Sequence, residues 1–107
     1  MAGYNTGFEA RGNATVSLTA GVASTAVRFN DSTQFPAVPH ARVYNAGTDI
    51  VFIEFGDVDV VASKTTSMPI PPGWPVCFRP GGASWMAAVS NGGGVAVVYV
   101  TPGYGSS

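Results

Sequence analysis

Few side chains in this sequence could do chemistry, and their spacing decides what each is for. Asp57-Val58-Asp59 places two carboxylates at i and i+2. On a strand they share a face, and in a turn they could share a cation. Calcium needs several more oxygen ligands than this pair supplies, and Asp49 and Glu54 would contribute only if the fold brought them near. Solvated turn carboxylates are the simpler reading. His40 follows Pro39 and has no Cys or His at metal-ligand spacing, so it reads as a loop or interface residue. Cys77 sits between Val76 and Phe78 and reads as a small core hydrophobe. A Cys77–His40 nucleophile and base would need a spatial coincidence that the spacing does not advertise. Ser63-Lys64 matches no Ser–Lys nucleophile motif. Gly92-Gly93-Gly94 leads into a β run rather than a helix, which makes it a turn and not a phosphate cradle. No catalytic residue, metal ligand or cofactor is assigned, and the expected class is not an enzyme.

The composition points instead to contact with other proteins. Of 107 residues eleven are charged, while 46% are hydrophobic. A soluble domain usually carries about 25% charged residues. A folded chain of this mass exposes roughly 5,600 Å², which leaves about one charge per 500 Å². Such a surface holds apolar patches, and those mark interaction sites. Net charge is −1, and Arg11, Arg28, Arg42, Lys64 and Arg79 are scattered, so no nucleic-acid partner is expected. No apolar run is long enough for a membrane span, and residues 1–20 lack the basic start and apolar stretch of a secretory signal. The single Cys excludes an intrachain disulfide and suits a reducing compartment. Without a secretory signal, the sequons at Asn13-Ala14-Thr15 and Asn30-Asp31-Ser32 read as turn residues.

The elements that position these residues are short. Fourteen Gly and eight Pro punctuate runs rich in Val, Ile, Phe, Tyr and Thr. That pattern predicts an all-β, antiparallel β-sandwich, Greek key or jelly roll with no long helix. Candidate strands cover 14–19, 25–29, 41–44, 49–55, 58–62, 67–70, 76–79, 85–90 and 95–101. Asn45-Ala46-Gly47-Thr48 is expected to close a hairpin between 41–44 and 49–55, and Asn91–Gly94 another between the last two strands. Residues 1–12 read as an extended N-terminal arm in which Tyr4 and Phe8 could anchor in a neighbour's groove. Residues 13–107 form one domain with a Gly-rich tail.

Two runs are apolar on both faces. In Ile50–Phe55, Val51, Ile53 and Phe55 oppose Ile50, Phe52 and Glu54; in Val95–Val100, Val95, Val97 and Tyr99 oppose Ala96, Val98 and Val100. One face of each can enter the core. The other favours a subunit contact, which marks Ile50, Phe52 and Tyr99 as candidate interface residues and predicts a homo-oligomer. Pro69-Ile70-Pro71-Pro72-Gly73-Trp74-Pro75 cannot be a central strand, because each proline removes a donor. It forms either a rigid turn with Trp74 folded back or a stiff projection with Trp74 as an anchor.

The order of these motifs resembles a known family. Val43–Gly56 runs strand, Asn-Ala-Gly-Thr turn, then a strand ending in Phe-Gly. Thr66-Ser67-Met68-Pro69-Ile70-Pro71-Pro72-Gly73 follows, and Val98–Gly105 ends the chain in a strand and Gly-rich tail. Together, over residues 43–105, this is similar to the capsid decoration (cement) proteins of tailed phages. The resemblance implies a jelly-roll-like sandwich, usually a homotrimer, that binds the major capsid protein on the outside of an icosahedral head. It also implies synthesis in the bacterial host cytoplasm. The competing expectation is a receptor- or carbohydrate-binding β-sandwich of a phage tail or fibre, with Trp74, Trp85, Tyr44 and Tyr99 stacking on sugars.

Overall fold

A computed structural model describes residues 9–10, 15–29, 40–80, 83–92 and 95–104. They hold nine strands and no helix: β1 (Glu9–Ala10), β2 (Val16–Ala20), β3 (Thr25–Arg28), β4 (His40–Asn45), β5 (Val51–Gly56), β6 (Met68–Ile70), β7 (Val76–Phe78), β8 (Trp85–Ser90) and β9 (Ala96–Tyr104). One sheet, A, has the order β1-β9-β4-β7, with β2 beside β1 on the same edge of β9; the other, B, runs β3-β8-β5-β6. Every pairing is antiparallel.

The pairing is nested. β2 pairs with β9, β3 with β8, β4 with β7 and β5 with β6, as in one long two-stranded ribbon. Rolling that ribbon up adds the β4–β9 and β5–β8 ladders and closes the two sheets into a jelly roll. The expected fold class is therefore the observed one. The expected arm is zipped onto sheet A at Glu9 and Ala10, opposite Tyr104 and Gly103. Tyr4 and Phe8 lie outside the described residues.

The two predicted hairpins do not form. β4 and β5 lie in different sheets, as do β8 and β9. Asn45–Ile50 and Asn91–Val95 do reverse the chain, but each passes it from one sheet to the other. Turn residues fix a reversal and leave the partner open; burial of both inner faces decides the partner. Residues 58–62, expected as a strand, form a turn and loop instead. Proline falls where a sheet tolerates it. Pro69 is on the edge strand β6, and Pro102 lies between the β1 and β2 registers.

Alternation fills the core. Val43, Val51, Ile53, Ile70, Met86, Val98 and Val100 are fully buried between the sheets. Phe29, Phe55 and Phe78 close one end, with ring centroids 5.6 and 5.5 Å apart. Each such side chain contributes roughly 1.5–3 kcal/mol.

Two polar residues, Asn45 and Ser90, are fully buried at the other end. Asn45 Nδ2 donates to the carbonyls of Asp49 (2.7 Å) and Ile70 (3.1 Å), and its Oδ1 accepts from the Gly47 N–H at 2.9 Å. Its own carbonyl accepts from the Gly73 N–H at 2.8 Å. Gly47 is required beside it, since a Cβ there would overlap the Ala96 Cβ at 2.4 Å. Asn45→Ala would orphan two carbonyls and one N–H. The expected loss is at least about 2 kcal/mol of unfolding free energy, measured by urea denaturation. Ser90 behaves oppositely. Its buried Oγ has no partner among the described residues. Ser90→Ala is expected to stabilise the fold by about 1 kcal/mol and to raise the melting temperature by roughly 4–8 °C in calorimetry.

Candidate interaction surface

The two sheets treat their outer faces differently. On sheet B, Ala87 and Val89 point outward yet are 0% and 4% exposed. The 57–67 segment covers them, packing Val60 and Ala62 with Phe52 into a second small core. Local hydrogen bonds hold that cover. The Asp57 carboxylate accepts from the Asp59 N–H at 3.2 Å, and the Asp57 carbonyl from the Val60 N–H at 3.0 Å. Ser24 Oγ accepts from the Ala62 N–H at 2.9 Å. Ser67 Oγ accepts from the Ser63 N–H at 2.9 Å and donates to Glu54 Oε1 at 2.9 Å. The apolar second face of β5 is thus met largely by the chain itself. Phe52 is half-buried under this cover.

Among the described residues no such cover lies over β9 on sheet A. Val97 and Tyr99 are 39% and 42% exposed, and Tyr44, registered opposite Tyr99, is 39% exposed. Ser17 and Thr19 flank them on β2. This half of the face is apolar or hydroxyl-bearing and uncharged.

The stripe continues through Val95 onto one end of the sandwich. Because consecutive strands run in opposite directions, the β2–β3, β4–β5, β6–β7 and β8–β9 connections share that end. Each presents one exposed large apolar side chain: Val22, Ile50, Trp74 and Val95. The four connections are braced to one another. The Ser90 N–H donates to the Gly21 carbonyl at 2.8 Å, the Asn91 N–H to that of Ile50 at 2.9 Å, and the Gly73 N–H to that of Asn45. Gly73, at φ +74°, makes the turn that carries Trp74. Trp74 therefore projects and is not folded back. Only Asp49 brings charge to these connections, and it is half-buried where a Cβ on Gly92 would meet its carboxylate.

The other candidates are separated. Asp57 and Asp59 are exposed at the opposite end, and the described residues hold no group of three or more His, Cys, Asp or Glu placed for a metal. Cys77 is registered against Arg42, between inward Val76 and Phe78. It faces outward from sheet A, half-buried, and not into the core as its neighbours implied. A cleft of about 390 Å³ opens between the sheets on the β6–β7 side, walled by Ile53, Phe55, Met68 and Phe78, with Glu54 its one ionisable group. Nothing in the spacing of these residues marked it, because its walls come from three strands.

No known family model matches the chain, and no curated protein matches it. Among solved structures, a chain of Bacillus endospore appendages, which form a family of disulfide-linked pili, is similar at 13% identity. The similarity covers 87% of this chain and 84% of that one, with a TM-score of 0.44. At that score the likeness fixes no property of this protein.

Phe52 distinguishes the covered face from the open one. Phe52→Ala is expected to cost about 2 kcal/mol of stability in denaturant titration, less than a fully buried Phe, because the residue is half-buried. The mass in light scattering should not change.

Proposed function

We propose that this protein is a structural component of a virion, binding the major capsid protein on the outside of an icosahedral phage head as a homotrimer and stabilising the shell. The observation that supports this reading is the uncharged apolar surface running from Tyr44, Tyr99 and Val97 over Val95 to Val22, Ile50 and Trp74. It is braced by main-chain hydrogen bonds, so little ordering entropy is lost on docking. The jelly-roll order is the fold that the motif resemblance implies. A standard interface buries roughly 1,600 Å² in all, and linking several such contacts in one oligomer raises avidity by about 10²–10⁴.

Apolar contact is weakly sensitive to salt. The protein is expected to stay on heads at molar salt and to raise their resistance to heating or osmotic shock, read as genome retention with and without it. Equal retention removes the stabilising role, and release by salt shows an electrostatic interface instead. The exposed Trp74 and the Tyr44–Tyr99 pair favour one second reading, stacking on sugars of a receptor. Binding to a glycan array that Trp74→Ala abolishes would select it.

A further inference from the structure

We infer that the four-loop end of the sandwich, and not the sheet A stripe, is where copies of this chain join one another. The inference rests on the oligomeric part of the reading above and assigns it a surface. The two exposed regions differ in chemistry. The end presents Val22, Ile50, Trp74 and Val95, with hydrocarbon or indole in every connection and Thr48 and Asn91 as its exposed polar side chains among the described residues. The stripe presents one aliphatic side chain, Val97, among Tyr44, Tyr99, Ser17 and Thr19, which each carry a hydroxyl. Interfaces between permanently associated copies are the more apolar kind, whereas hydroxyl-bearing, wetter surfaces suit contacts made between separately folded partners.

Charge makes the end complementary to itself. Ten of the eleven charged residues lie outside the four connections, and the one inside, Asp49, is half-buried against Gly92. Two such ends can therefore meet without placing like charges together, and neither brings a charge that the other must neutralise. The end also has the necessary size. The smallest cross-section of the molecule measures 31 by 22 Å, on the scale of the roughly 800 Å² that each partner gives to a stable interface. Each of these connections holds glycine, at Gly21, Gly47, Gly73 and Gly92-Gly93-Gly94, which adds no side chain between approaching backbones.

The test is light scattering and sedimentation of the full chain over a concentration series. Val22→Asp with Val95→Asp places charges at two positions that are 68% and 72% exposed, where folding does not depend on them. Self-association should weaken roughly 100-fold or more, since like charges brought together in an interface cost several kcal/mol. Val58→Asp, 60% exposed at the opposite end, and Tyr99→Ser on the stripe should leave the oligomer intact. If the double aspartate variant loses its β-sheet circular dichroism, Val22→Ser with Val95→Ser replaces it, with the same direction of change. A single-chain mass for the unmodified protein at all concentrations overturns the inference. So does an oligomer that survives the folded end variants, or one that Val58→Asp or Tyr99→Ser dissociates equally. Head binding is scored separately by co-sedimentation. A monomer that still binds heads removes this site and leaves the capsid reading, and an oligomer that joins by its end yet ignores heads does the reverse.

Discussion

The buried carboxamide of Asn45 is the constraint on which this end of the protein depends. From β2 to β9 this jelly roll sends the chain from one sheet to the other at every connection but β5–β6, and each crossing leaves main-chain carbonyls without a ladder partner. Asn45 answers for two of them, at Asp49 and Ile70, while its oxygen takes the Gly47 N–H. The β4–β5 crossing and the end of β6 are thereby tied to one side chain. Its main-chain carbonyl adds the β6–β7 turn. Gly47 then allows the crossing to lie against Ala96, where the central strand β9 begins. Leu or Val at position 45 would fill the space and satisfy none of these groups.

Much of the architecture was legible in the sequence, and the rest failed for a physical reason. Period-two alternation marked the inward residues of β2, β4, β5 and β9, and Gly and Pro marked the reversals. The same marks could not say which strands pair. Asn45–Thr48 looks like a hairpin turn because the residue types that reverse a chain within a sheet also reverse it between sheets. Alternation also could not say what lies over a second apolar face. The β5 and β9 runs read alike, yet the 57–67 segment covers the first and leaves the second open. That segment has no period of its own, and its anchors, Ser24 and Glu54, are distant in sequence.

For the candidate surface, Ile50, Trp74 and Tyr99 were named from the sequence, and all three are exposed. Val22, Val95 and Tyr44 complete it. Val95 already shared a face with Tyr99 in the sequence and Tyr44 stood among the aromatics, whereas Val22 was hidden because a lone Val in a turn has no pattern; only the strand order gathers them. The charges escaped notice for the same reason. Scattered in sequence, those among the described residues are, Asp49 apart, sorted in space away from one end, which no linear reading reveals.

The cover over sheet B makes the two broad sides of the molecule unequal. That side offers Glu54, Lys64, Thr65 and Thr66 to solvent together with Val58 and Val61, and keeps Val60, Ala62 and part of Phe52 beneath. A copy seated through its open side would thus turn outward a back of different, more hydrated chemistry. A strap of eleven residues, Asp57 to Ser67, is thus what makes the two broad sides of the sandwich unlike.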